Sequence, residues 1–114
     1  MVAILYKIID KQTWEQAQKN GVFKGAAIDL QNGYIHLSSS LQVVETARLH
    51  FAGIDNLLLV AIDETAIAAP IKWEASRGGQ LFPHVYGSLD PQLILWAKPL
   101  AWNGTAHEFP ELTA

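Results

Sequence analysis

The stretch from Lys72 to Gly87 reads Lys-Trp-Glu-Ala-Ser-Arg-Gly-Gly-Gln-Leu-Phe-Pro-His-Val-Tyr-Gly, and it is the densest run of chemically able side chains in the sequence. Glycine or proline interrupts it at Gly78, Gly79, Pro83 and Gly87. Glycines and a proline at this spacing predict a shaped loop rather than a helix or a long strand. Because functional residues concentrate on such loops, we expect this segment to form one half of a site.

A shorter polar segment, residues 33–40, is the predicted other half. It reads Gly-Tyr-Ile-His-Leu-Ser-Ser-Ser, and residues 34–38 predict a strand. Successive side chains of a strand point to opposite faces. Tyr34, His36 and Ser38 therefore share one face, which carries three hydrogen-bonding groups.

The composition predicts one α+β domain over residues 1–114. The sequence predicts strands at 2–9 (in the centre of a sheet), 34–38, 57–62, 71–75 and 93–100, helices at 11–20 and about 40–52, and a helical turn at 65–69. Asp10 is the expected N-cap of the first helix, with Trp14 on its buried side. Ser39 with Gln42 has the pattern of a capping box before the second helix. The later part of the chain is mostly strand, which favours mixed sheets.

Two further expectations concern packing. In the second helix the cleanest apolar stripe is Val44, Ala47 and Phe51. The last predicted strand contains Pro99 near its end, which is typical of an edge strand. Residues 102–114 are expected to form a surface tail or a loosely packed end.

Charge and cysteine content exclude several classes of function. Of the 114 residues 17% are charged, and the net charge is −3 with a pI of about 5.7, so the chain lacks the basic surface of general nucleic-acid or anionic-membrane binders. The absence of cysteine excludes disulfides, thiolate catalysis and zinc–thiolate sites. No segment approaches a membrane span, and residues 1–10 have the pattern of a strand rather than a signal peptide, so we expect a cytoplasmic protein.

Five polar or aromatic side chains could contact a ligand. His36 could exchange hydrogen bonds with a ligand such as a ribose, or simply bond a backbone carbonyl. Arg77, before two glycines, could present its guanidinium to a phosphate, or pair with Glu74 to brace the loop. Glu74 is a possible acid, base or ribose clamp, or a solvated carboxylate. His84 and Tyr86 alternate and would share a face if the segment is extended.

Motifs for other chemistries are absent. The four histidines have no H-x-x-x-H or HExxH spacing, so the sequence predicts no metal site. It also contains no Walker loop, dinucleotide-binding glycine motif or nucleophile elbow.

Several motifs together resemble domain-of-unknown-function family 952. They are Leu5-Tyr6-Lys7-Ile8 followed by Trp14, Gly33-Tyr34-Ile35-His36-Leu37-Ser38, Gln42-Val43, His50-Phe51, Trp73-Glu74 and Leu81-Phe82-Pro83-His84-Val85-Tyr86-Gly87. The sequence departs from the family at Ser88, where the family often has proline. That family looks like a compact member of the ADP-ribosyltransferase fold group. The resemblance implies two small, twisted mixed or antiparallel sheets around a cleft for NAD, with two main helices outside.

The resemblance also implies roles for the candidate residues. The group's reaction displaces nicotinamide from NAD at the ribose carbon. His36 would bind a ribose hydroxyl with Ser38 beside it, Tyr86 would stack on the nicotinamide, and Arg77 would meet the pyrophosphate. Glu74 would be the carboxylate that stabilises the developing positive charge, because residues 93–100, where the group's catalytic glutamate normally lies, contain no acid.

Three functions therefore stay open. The first is an NAD-dependent, ADP-ribosyltransferase-like enzyme with His36 and Glu74 as catalytic residues. Its ligand contacts would come from Tyr34, Ser38, Arg77, His84 and Tyr86. The second is a catalytically inactive domain that binds a nucleotide or a small anion in the same pocket. The third is an interaction or structural domain in which these residues only fix the loop. The sequence predicts no oligomeric state.

Overall fold

The computed structural model of the protein describes residues 3–114, apart from the side chain of Arg77. The chain is an α+β domain with two small antiparallel sheets and three helices. The elements are β1 (Ile4–Asp10), α1 (Lys11–Asn20), α2 (Ala27–Asn32), β2 (Ile35–His36), α3 (Val43–His50), β3 (Leu57–Asp63), β4 (Ile71–Ala75), β5 (Leu81–Val85) and β6 (Trp96–Leu100). Short 3-10 turns follow β3 and β4 and precede β6. The predicted α+β class is confirmed, and α2 is a helix that the sequence did not predict.

The first sheet has the order β1-β3-β6. Its central strand is β3, whose buried apolar run agrees with the prediction for residues 57–62. β6 lies at an edge, as Pro99 predicted, and pairs only with β3 in this sheet. The prediction that the first strand is central was wrong, because β1 is the other edge. Tyr6 nevertheless exchanges two backbone hydrogen bonds with Ser38, of 2.8 and 2.9 Å, and so connects the two sheets.

The second sheet has the order β2-β5-β4 and corrects the prediction for residues 72–87. That segment is a β-hairpin, not a shaped loop. The positive φ angles of Gly78 and Gly79, 65° and 78°, are confined to the turn, where the Ser76 N–H bonds the Gln80 carbonyl at 2.9 Å. Residues 81–85 pair with β4, and His84 and Val85 also pair with β2, so Pro83 lies in the central strand of this sheet. The Pro83 carbonyl still accepts a hydrogen bond from the Leu37 N–H at 3.0 Å.

The first helix forms as its sequence predicts. The Asp10 carboxylate accepts a hydrogen bond from the Thr13 N–H at 2.9 Å, and Gly21 ends the helix with a φ of 74°. Trp14 is 1% exposed and packs edge-on against Phe23, with 5.7 Å between the ring centroids. Both aromatic rings belong to the hydrophobic core that lies against the second sheet.

The apolar stripe of α3 differs from the prediction at one position, because Ala47 and Phe51 pack on the core as predicted but Val43 replaces Val44. Gln42 accepts a hydrogen bond from the Ser39 N–H at 3.0 Å, which is the glutamine half of the predicted capping box. The helix then begins at Val43 and ends at His50, two residues earlier than predicted. Val43 and Ala47 are buried, whereas Val44 is 50% exposed. Two adjacent valines made the register ambiguous in the sequence.

The C-terminal segment is anchored, which corrects the prediction of a surface tail or loose end. Phe109 and Leu112 pack against the core cluster that covers the first sheet. The Tyr6 hydroxyl donates to the Thr113 carbonyl at 2.7 Å and accepts from the Thr113 N–H at 2.9 Å. No described helix is long and apolar enough to cross a membrane.

The two valines of α3 provide a matched test of this packing. We expect Val43→Ala to lower the free energy of unfolding by about 2 kcal/mol, because it opens a cavity in the core. Val44→Ala makes the same chemical change on the exposed side of the helix and should alter stability by less than about 0.5 kcal/mol. Urea denaturation of both variants measures the difference. Equal losses would contradict the observed register of α3.

Candidate functional site

The structure contains a cleft of about 510 Å³. β1 and α3 form one side, and the second sheet forms the other. Its lining residues are Tyr6, Lys7, Ile8, Ile28, His36, Leu37, Ser38, Thr46, His50, Phe51, Ser76, Phe82 and His84. The walls are mostly apolar with a few convergent polar groups, as in small-molecule pockets.

One face of the second sheet gathers most of the predicted site. His36 and Lys72 both pair with His84 across the sheet, and paired residues share a face. Tyr34 lies among the other rings: its centroid is 4.1 Å from that of His84, 4.7 Å from His36 and 5.3 Å from Tyr86. The sheet pairing therefore brings Tyr34, His36, His84 and Tyr86 together.

Glu74 is a hydrogen-bond acceptor for two of these rings. Its Oε1 accepts from the Tyr86 hydroxyl at 2.6 Å and lies 2.9 Å from His84 Nδ1. The hydrogen bonds from Tyr86 and His84 lower the pKa of Glu74, and the same bond to Glu74 raises the pKa of Tyr86 to about 12. An ionised carboxylate only accepts, so His84 must carry a proton on Nδ1.

The other nitrogen of His84 is an unusual atom of this site. His84 is 2% exposed, and its buried Nε2 has no hydrogen-bond partner among the described residues. Because Nδ1 is protonated, Nε2 of the neutral ring is an acceptor. An unpaired buried acceptor costs about 1–3 kcal/mol, which a ligand donor at this position would recover.

Asp29 is a site residue that the sequence did not reveal. It lies in α2, and Gly25 precedes it with a φ of +129°; a Cβ at Gly25 would lie 2.8 Å from the Asp29 Cβ. The carboxylate accepts from Lys7 Nζ at 2.8 and 2.9 Å, from the Ala26 N–H at 2.8 Å and from His36 Nδ1 at 2.6 Å. The available signal was Lys7, a cation inside an apolar strand that requires a buried partner.

Burial and ion pairing have opposite effects on the pKa values of Lys7 and Asp29. Burial lowers the pKa of Lys7, while the charge of Asp29 and its hydrogen bond raise it. Burial raises the pKa of Asp29, but hydrogen bonds from His36 and Lys7, the Lys7 charge and the Ala26 N–H outweigh burial and lower it to about 2. Asp29 is therefore ionised at neutral pH.

The remaining candidates have different surroundings. Ser38 is buried and its hydroxyl is 3.2 Å from that of Thr46 on α3. The side chain of Arg77, predicted to meet an anion, lies outside the described residues. His50, singled out in the sequence only as part of the family motif His50-Phe51, also lines the cleft. In the described part of the chain, no three His, Asp or Glu side chains are grouped as metal ligands would be.

The low pKa of Asp29 predicts acid sensitivity. A carboxylate has a pKa of about 3.9 when unfolded. The stabilisation from ionised Asp29 is therefore complete above that pH and is lost as the pH falls towards 2. The shift corresponds to about 2 kcal/mol. We expect the difference in the free energy of unfolding between the wild type and Asp29→Asn to shrink as the pH falls from about 5 to about 2. Urea denaturation at each pH measures this difference. A difference that stays constant would contradict the ionised network.

The chain is similar to one protein family and to solved structures of a bacterial protein. The family model "Protein of unknown function (DUF952)" matches residues 8–97. The crystal structure of CC0527 from Caulobacter crescentus is 38% identical, covers 92% of this chain and 93% of that chain, and has a TM-score of 0.86. The solution NMR structure of CC0527 is also 38% identical, covers 91% and 90%, and has a TM-score of 0.81. A search of curated proteins finds no match. The chain thus belongs to the DUF952 family.

Proposed function

We propose that the cleft binds a small nucleotide-type ligand, of which NAD is the first candidate, and that His84 Nε2 accepts a hydrogen bond from it. The observation that carries this proposal is the buried Nε2 without a partner among the described residues. Sites with unpaired polar groups of this kind favour ligands that supply the missing hydrogen bond. The ligand atom at this position would be an O–H or N–H donor.

The shape of the cleft supports a small organic ligand. Its volume of about 510 Å³ is within the range of roughly 300–1,000 Å³ for such pockets. Phe51 and Phe82 are two aromatic residues among those that line it. Tyr86, for which the resemblance implied a stacking role, instead donates its hydroxyl proton to Glu74. We therefore assign Tyr86 to the support of His84.

The resemblance to the ADP-ribosyltransferase group supports a nucleotide as the ligand class. His36, which the resemblance matches to a ribose-binding histidine, lies on the same sheet face as His84, with 5.4 Å between the ring centroids. At the two Nε2 atoms a donor such as a ribose hydroxyl is favoured over an anionic oxygen, because an imidazole nitrogen without a proton accepts hydrogen bonds.

Ligand binding can be tested with one variant and a matched control. We expect NAD or ADP-ribose to bind the wild type in isothermal titration calorimetry. His84→Phe keeps a ring but removes the acceptor, and it should weaken binding about tenfold or more. His107→Phe is the control, because His107 bonds the Ile54 carbonyl and does not line the cleft.

Two results would count against this proposal. If none of NAD, ADP-ribose, nucleosides and nucleotides binds the wild type, a structural or interaction role replaces the ligand pocket. If they bind and His84→Phe binds as well as His107→Phe, the role given to Nε2 is wrong.

ADP-ribosyl transfer is a second candidate, favoured by the charge of Glu74. Hydrogen bonds from Tyr86 and His84 lower the pKa of Glu74, so a part-exposed carboxylate stays ionised on the sheet face of the cleft. In such a reaction the bond between ribose and nicotinamide breaks, and its electrons leave with nicotinamide. An acceptor hydroxyl then bonds the ribose carbon and loses its proton, for which His84 Nε2 is an available base.

Turnover can be tested by following free nicotinamide. If the transfer reaction occurs, the wild type should release nicotinamide from NAD, and Glu74→Gln should slow the release about a hundredfold, because it removes the charge that stabilises the transition state. Glu111→Gln, an exposed site in the C-terminal segment, is the matched control. Binding of NAD without any release, over a range of acceptors, would contradict transferase activity and leave the binding role standing.

A further inference from the structure

Asp29 is a buried carboxylate in a closely packed part of the fold. The residue is 1% exposed and lies in a six-residue helix, where the Ala26 N–H bonds its carboxylate at 2.8 Å. Gly25 adopts a φ of +129°, which L side chains rarely adopt, and a Cβ there would lie 2.8 Å from the Asp29 Cβ. The backbone around residue 25 is therefore arranged to admit this carboxylate.

Asp29 makes further hydrogen bonds besides its ion pair with Lys7. Its Oδ1 also accepts from the backbone N–H of His36 at 3.1 Å and lies 2.6 Å from the ring nitrogen Nδ1. Since Asp29 is ionised, Nδ1 must be the donor in that contact. The histidine whose ring lines the cleft is thus held at two points by one buried carboxylate.

The opposite end of the His36 ring is accessible. Nε2 lies 3.1 Å from the side-chain amide nitrogen of Asn32, the last residue of α2. Asn32 is exposed, and the His36 side chain is 29% exposed. A hydrogen bond at such a place exchanges readily with water or with another donor, because little free energy is lost when it is replaced.

We propose that Asp29 is a positioning residue of the cleft: it keeps the proton of His36 on Nδ1, so that Nε2 accepts from a ligand O–H or N–H that replaces the Asn32 amide. With His84, this gives two imidazole acceptors on paired positions of adjacent strands. The ligand class that fits them carries two hydrogen-bond donors on one small group. The proposal rests on the proposed function for the ligand, but the fixed tautomer of His36 can be measured without one.

The test compares two proteins that differ only in the group facing His36 Nδ1. Asp29→Asn alone would leave the Lys7 charge buried without a partner, which is strongly destabilising. The comparison is therefore between Lys7→Met, in which the Asp29 carboxylate keeps the Ala26 and His36 N–H donors and the contact with His36 Nδ1, and the double variant Lys7→Met/Asp29→Asn. Nitrogen-15 NMR of the imidazole ring at pH 8 reports which nitrogen of His36 carries the proton.

We expect His36 to be protonated on Nδ1 in the wild type and in Lys7→Met, and to shift towards the Nε2–H tautomer in the double variant. An unchanged tautomer in the double variant would overturn the proposal and leave Asp29 as a partner of Lys7 alone. Asn32→Ala, an exposed change, should keep the Nδ1–H tautomer. If it does not, Asn32 rather than Asp29 controls the ring.

A ligand readout separates this proposal from the proposed function. If NAD binds, the double variant should bind it up to about tenfold more weakly than Lys7→Met, which corresponds to the loss of one hydrogen bond. Failure of NAD to bind any variant would count against the nucleotide proposal while leaving the tautomer result valid. Equal NAD affinity in the two variants, together with a changed tautomer, would show that His36 does not contact the ligand and would overturn its role as an acceptor.

Discussion

The buried contact between Lys7 and Asp29 holds together three elements that surround the cleft. Lys7 comes from β1 of the first sheet, Asp29 from α2, and the carbonyl of His36, which accepts from Lys7 Nζ at 3.0 Å, from β2 of the second sheet. Both charged groups are almost inaccessible to water. Removing Asp29 alone would leave the Lys7 charge buried without a partner charge, so the positions of the three elements depend on this contact.

His36 and His84, which both line the cleft, share one pattern of contacts. Each of the two histidines on the sheet face has a carboxylate at Nδ1, Asp29 for His36 and Glu74 for His84. A carboxylate at Nδ1 fixes the orientation of the ring and makes the neutral Nε2 an acceptor. The two Nε2 atoms differ in one respect: that of His36 has the exposed Asn32 amide as a partner, whereas that of His84 is buried. His84 is therefore the stronger candidate for contact with a ligand.

The sequence predicted the elements whose signals are local. Asp10 caps α1 and Gly21 ends it, and the apolar run of β3 forms a buried strand. Each of these signals lies within or beside the element that it specifies. The hairpin of residues 72–87 was missed because its two glycines and Pro83 were all interpreted as signs of a loop. Only the glycines form the turn, whereas Pro83 is tolerated within β5.

The sequence revealed only part of the site, because the rest depends on contacts between distant residues. Strand alternation placed Tyr34 and His36 on one face, and the pairing of β2 with β5 added His84. Asp29 had no periodic pattern around it, because its burial depends on a contact with Lys7 that is 22 residues distant. Glu74 was predicted to be catalytic as a free carboxylate. Its bonds to Tyr86 and His84 are visible only once β4 and β5 are paired.

The most direct test of this account is nitrogen-15 NMR of the His84 imidazole during a titration with NAD. The account predicts that the Nε2 resonance moves as this atom gains a hydrogen bond, while Nδ1 stays protonated against Glu74. If NAD binds and the His84 Nε2 resonance does not change, the ligand does not reach this atom, and the central claim is wrong.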